Sequence, residues 1–130
     1  MTSAEATYRE ICKRFDTTDY QELRAAFDEF IADDAVWANT GFPTAEGKPT
    51  ILRTLDSFHE ALQLVGIRID TVAVASSGGL VVTERIDHLV TPDGVALSLP
   101  VAGTFIIADG LIKAWRDYFD LAQWTKQAGT

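Results

Sequence analysis

Hydrophobic and polar positions along this chain follow two different periods. Up to about residue 64 the apolar residues recur every three or four positions; beyond it they alternate. Tyr8, Ile11, Cys12 and Phe15 set a first helix over 4–16, with Ser3 placed to cap its N-terminus. Asp16-Thr17-Thr18-Asp19 breaks it. Leu23, Ala26, Phe27 and Phe30 mark a second helix over about 19–31, which Asp33-Asp34 ends. Residues 35–39 read as a short strand, and 41–47 as a loop. A third helix is expected from Lys48 or Pro49 to Leu64. Pro49 suits its first turn, and Ile51, Leu55, Phe58 and Leu62 form its apolar stripe.

After Gly66 the period becomes two. Strands are expected over 67–76, 80–91, 97–108 and 111–119. Ser76-Ser77-Gly78-Gly79, Pro92-Asp93-Gly94 and Asp109-Gly110 separate them as hairpin signals. A short terminal helix over 121–128 completes the pattern. Helices followed by an antiparallel meander make an α+β fold. Three amphipathic helices and one sheet face are buried most simply by curling the sheet around the helices. That leaves a conical interior suited to a small molecule.

Composition narrows the picture. A chain of 130 residues, 47% apolar and 23% charged, forms one domain (1–130) with a real core. The formal net charge of −8 argues against a nucleic-acid partner, which needs a basic stripe. With Cys12 as the single cysteine there is no disulfide framework. The first residues have neither a basic region nor an apolar run, so no signal peptide is expected. No apolar segment is long enough to span a membrane. A reducing compartment, the cytoplasm, is the expectation.

The candidate chemistry lies on two strands. In 111–119, alternation puts Lys113, Trp115, Asp117 and Phe119 on one face. A carboxylate between two large aromatics is expensive to bury unless it is paired, hydrogen-bonded or protonated. In 80–91, Val81, Thr83, Arg85, Asp87 and Leu89 share a face. One guanidinium can bond two carboxylates at once, and two acids around one Arg can divide the roles of base and acid. The spacing equally suits an exposed Arg85–Asp87 ion pair, and Asp117 as a strand-end cap. His59 and His88 lack a partner at metal spacing and read as structural. Cys12 reads as a small core residue. The glycine-rich 76–79 turn lacks the lysine and helix of a phosphate cradle. Trp124 suits either a pocket mouth or a dimer surface.

Thr83-Glu84-Arg85-Ile86-Asp87, followed by Trp115-Arg116-Asp117-Tyr118-Phe119-Asp120-Leu121, resembles the limonene-1,2-epoxide hydrolase family. Val36-Trp37-Ala38-Asn39 with Phe42-Pro43 is similar to its early strand. The resemblance implies a strongly curved mixed sheet packed with N-terminal helices, a cystatin-like α+β cone shared with ketosteroid isomerases and SnoaL-like cyclases. It implies a homodimer with no metal and no organic cofactor, acting on a small hydrophobic epoxide and water. By resemblance Asp117 is the base, Asp87 the acid, Arg85 the bridge between them and Asn39 the holder of the water. Trp37 stands where the family typically has a water-binding tyrosine. An indole N–H only donates, so Trp37 is expected to shape the pocket. Trp115, Phe119, Val81, Leu89 and either Phe105 or Ile106 are expected to line it. An isomerase or cyclase on the same cone, and a non-catalytic binding protein, are the competing readings.

Overall fold

The computed structural model of the chain describes residues 3–128. Helix α1 (Ala4–Phe15) begins where the Ser3 hydroxyl accepts from the Ala6 N–H at 3.1 Å, and it buries Tyr8, Ile11 and Phe15. Helix α2 (Tyr20–Phe30) starts at Asp19, whose carboxylate accepts from the N–H groups of Gln21 and Glu22. It buries Tyr20, Leu23, Ala26 and Phe27. Helix α3 (Lys48–Leu62) has Pro49 in its first turn and stops at Gln63, which takes the left-handed conformation at φ 55°.

The strands are β1 (Ile31–Asn39), β2 (Ala45–Glu46), β3 (Gly66–Ser77), β4 (Leu80–Thr91), β5 (Gly94–Ala108) and β6 (Leu111–Tyr118). A short helix α4 (Leu121–Gln127) follows. They form one six-stranded sheet in the order β2-β1-β6-β5-β4-β3. Neighbours are antiparallel except β1 and β6, which run parallel, so the sheet is mixed. Irregular register in β3–β4, β4–β5 and β5–β6 bends the strands. The curved sheet wraps α1–α3, and its concave side with the helices forms the core.

Three features differ most from the sequence expectation. Strand β1 starts at Ile31, directly after α2, rather than at Ala35. Asp33 and Asp34 are exposed within it, at the break in its pairing with β6, where the ladder tolerates poor strand formers. Strand β2 occupies part of the expected loop, because Ala45 and Glu46 pair with Trp37 and Val36 at the sheet edge. Strand β5 starts at Gly94, since the hairpin after β4 is tighter than expected.

Candidate active site

Strand register builds the site before any side chain is considered. Asn39 on β1 lies opposite Asp117 on β6, Asp117 opposite Gly103 on β5, and Gly103 opposite Thr83 on β4. The row two residues away reads Trp37, Trp115, Phe105 and Val81. Side chains of both rows point to the concave face. Trp115 stacks between Trp37 and Phe105, with ring centroids 5.2 Å away on each side, and forms a flat apolar floor. The register also settles the inward residue of β5: Phe105 is buried and Ile106 is exposed.

Arg85 reaches over this surface from β4. Its Nε and Nη2 donate to the two Asp87 oxygens at 3.1 and 2.8 Å. Its Nη1 and Nη2 donate to the two Asp117 oxygens at 3.1 and 2.9 Å. The remaining Nη1–H goes to Thr83 Oγ1 at 3.1 Å. All five N–H bonds of the guanidinium are thus engaged. The exposed-ion-pair alternative is excluded, for Arg85 is only 2% exposed and the Asp117 side chain 7%. Asp87 is more open, at 16%.

The lone pairs can be counted. Asp117 Oδ1 accepts from Arg85 and from the Trp115 indole N–H at 2.9 Å, so it is full. Oδ2 accepts from Arg85 and keeps one free site. The Asp117 main chain is also held, its carbonyl accepting from the N–H and hydroxyl of Thr40 at 3.2 and 3.3 Å. Asn39, next to Asp117, makes no side-chain hydrogen bond within the described residues and faces the cavity.

Burial pushes the Asp117 carboxyl above its ordinary value. Arg85 pulls the other way, and the charge on Asp87 adds to the upward push. Burial opposes the charge of Arg85 too, but Asp117 and Asp87 more than offset it and keep the guanidinium firmly protonated. A base whose pKa is raised is a stronger base once ionised.

The cavity beside this group measures about 90 Å³ of room for water centres, several times what one buried water requires. Asp87, Asp117 and Asn39 are its polar groups against walls that include Trp37, Leu89, Trp115 and Phe119. Val81 is a correction: it is fully buried in the core beside Phe105, its partner across β4–β5, and does not reach the cavity. Trp37 contributes its ring, while its indole N–H is buried without a hydrogen-bond partner among the described residues. The mouth is aromatic. Phe42, Phe58 and Trp124 touch one another edge-to-face with centroids 5.2–5.7 Å apart. Trp124 therefore covers the pocket.

Three contributors to the Arg85–Asp117 contact were given no part in it by the sequence reading. Thr83 shares the Arg85 face, and alternation alone could have nominated it. The Trp115 N–H bond to Asp117 follows from two residues of one strand sharing a face. Gly103 has no side chain and hence no periodic signal. His59 and His88 have structural partners: His59 stacks on Tyr20 and bonds the Leu64 carbonyl, and His88 joins Ser98 and Asp70. Burial pushes the Cys12 thiol up to about 11, so it remains a protonated, poorly nucleophilic group packed against the core. No helix among the described residues is long and apolar enough to cross a membrane.

Comparison with known proteins bears on the family. Epoxide hydrolase EphG of Mycobacterium tuberculosis (strain ATCC 25618 / H37Rv) is 33% identical over 97 residues, 72% of this chain and 60% of EphG, so the match spans less than two thirds of that relative. The structure of an LEH-like epoxide hydrolase from M. tuberculosis superposes with a TM-score of 0.72 at 27% identity, covering 94% of this chain and 89% of that one. A protein from Jannaschia sp. CCS1 described as a SnoaL-like polyketide cyclase gives 0.75 at 16% identity, covering 100% and 96%, and at that identity shows a shared fold only. Residues 3–129 match the profile of the limonene-1,2-epoxide hydrolase catalytic domain. That match runs almost from end to end and agrees with the curved mixed sheet: the chain belongs to the limonene-1,2-epoxide hydrolase family.

Proposed function

We propose that the protein adds water to a small hydrophobic epoxide in one step and releases a vicinal diol. The observation that supports this most is one buried guanidinium bonded to two carboxylates at the polar end of an apolar cavity. Two acids around one Arg suit a reaction that needs a proton removed and another delivered together.

In the proposed step, water sits between Asp117 Oδ2 and the Asn39 amide. Its proton passes to the free lone pair of Oδ2 as its oxygen attacks an epoxide carbon. The C–O bond breaks, and the leaving oxygen takes a proton from Asp87. Arg85 keeps both carboxylates in place and neutralises the charge left on the pair. Asp117 ends protonated and Asp87 ionised, and exchange with entering water restores the start. General acid and general base catalysis each contribute about 10²–10⁴-fold. The proposal includes the homodimer that the family resemblance implies, which sedimentation velocity tests.

The chemical test is single turnover of a panel of hydrophobic epoxides in ¹⁸O-water. The expected result is label in the diol and none passing through the protein, with Asp117→Asn nearly inactive. A folded wild type that makes no diol, yet exchanges a proton on a ketone, overturns the hydrolase reading in favour of an isomerase or cyclase.

A further inference from the structure

We infer that Thr83 and Gly103 form a seat that positions the Arg85–Asp117 pair, making them positioning residues of the site. The inference deepens the proposed reaction and depends on it only where turnover is measured.

Three polar atoms converge on the space above the Gly103 Cα. A Cβ built there overlaps Asp117 Oδ1 and Arg85 Nη1 and lies 3.3 Å from Thr83 Oγ1. Arg85 pairs along the ladder with Val101, and Asp117 with Gly103. The guanidinium therefore reaches Asp117 diagonally, across β5 at Gly103. No positive φ occurs at Gly103, so its backbone is one that any residue adopts. Glycine is needed here for space, at a position where a strand is otherwise weakened by it.

Thr83 sets the other side of the seat. It is buried, and its hydroxyl donates to the Gly103 carbonyl at 3.0 Å. That directs its lone pairs to Arg85 Nη1, which donates to it at 3.1 Å. The Nη1 group is thereby fixed between Thr83 and Asp117 Oδ1. Serine reproduces this donor and acceptor pattern and valine does not, although valine matches the shape of threonine.

Atoms displaced by a Gly103 methyl are side-chain tips rather than backbone. The Gly103→Ala fold is thus expected to survive while the ion pair gives way. Arg85 then supports the Asp117 charge less well. The other groups facing that carboxylate, Asp87 from β4 and Trp115 from β6, are unchanged.

The test uses Gly103→Ala, Thr83→Val and Thr83→Ser in the full chain, with two readouts. The first is the carboxyl titration of Asp117 by ¹³C NMR, which needs no substrate. It is expected to move to higher pH in Gly103→Ala and Thr83→Val and to stay in place in Thr83→Ser. The second is epoxide turnover. A roughly tenfold or greater loss in kcat is expected for Thr83→Val, the scale of one hydrogen bond to a charged group, with recovery to within about threefold in Thr83→Ser. A purely structural role would lower thermal stability and leave the titration unchanged. If Gly103→Ala does not fold, the two Thr83 variants decide. The seat is overturned if Thr83→Val folds with the Asp117 titration and kcat of wild type. A shifted titration in a protein that turns over no epoxide supports the seat and overturns the hydrolase instead.

Discussion

Replacing Asp117 with Asn separates two effects that a single activity assay would merge. The side chain keeps its shape and loses its charge. As the proposed base, its loss should lower kcat by about 10²–10⁴-fold. The effect on stability has two opposed parts. An Asn nitrogen in place of Oδ2 faces the Arg85 Nη2–H, now 2.9 Å from that oxygen, and leaves a donor unpaired. Such a loss costs roughly 1–3 kcal/mol and does not depend on pH. Against it, the substitution removes a carboxylate that burial makes hard to ionise.

Only the second part titrates, and its sign is fixed by linkage. The Asp117 pKa in the folded protein lies above its ordinary value of 3.8, so the folded state binds this proton more tightly than the unfolded state does. The stability it confers is fully present below 3.8 and is lost as pH rises through the folded-state value. Each unit between the two values is worth about 1.4 kcal/mol. For a chain of this size that corresponds to roughly 3–6 °C in Tm. The difference Tm(Asp117→Asn) − Tm(wild type) should therefore increase with pH above about 4, whatever its value at the acid end. Thermal unfolding of both proteins from pH 3 to pH 8 measures it. A difference that falls with rising pH would show that the Arg85 contact outweighs burial, and it would refute the assignment of Asp117 as a base strengthened by its surroundings.

Other substitutions test the remaining parts. Asp87→Asn should keep the fold, because Asp117 still pairs with Arg85, and lower kcat about 10²–10⁴-fold in steady-state diol formation. Trp37→Phe removes an indole N–H that has no partner among the described residues and keeps an aromatic wall; kcat should stay within about threefold, whereas a collapse in kcat would assign Trp37 a direct part in the reaction. Trp124→Ala opens the aromatic mouth without touching the carboxylates. KM for small epoxides should rise about tenfold with kcat little changed, as expected when binding common to the ground and transition states is lost.

How much of this was legible beforehand depends on the kind of signal each residue leaves. Periodicity is a property of many residues at once, so the helices and the meander were readable from it. Boundaries rest on single residues whose preference is overridden by their neighbours. Asp33 and Asp34 look like a break, yet pairing of Ile31 and Val36–Asn39 with β6 carries the strand through them. Which side chains share a face of β4 and of β6 was also readable, because alternation fixes which go together. That brought Arg85 and Asp87 to one face, and Trp115 and Asp117 to another. What joined the two faces was register across β5, which no single strand encodes. The same gap misplaced Val81: its face was right, but it lies at the far end of the Trp37–Trp115–Phe105 row, packed in the core and away from the cavity that Trp37 and Trp115 line.

Gly103 marks the limit of reading side chains as the carriers of function. A search for catalytic groups looks for atoms that donate, accept or attack, and a glycine in a strand reads as a weakness in that strand. Here the missing methyl is what allows a cation from β4 to meet a carboxylate from β6 across the strand between them. The requirement arises only when three strands are in register. It involves no unusual φ at this position that a turn motif could have flagged. Two acids and an arginine spaced along a sequence are common on protein surfaces, where they contribute little. The buried form needs space for the guanidinium, an acceptor for each of its N–H bonds, and an apolar wall that excludes water. Gly103 supplies the space, Asp87, Asp117 and Thr83 the acceptors, and the Trp115 ring part of the apolar wall. A variant that kept Arg85, Asp87 and Asp117 but filled the Gly103 notch would retain every residue of the sequence motif and lose the geometry on which its chemistry depends.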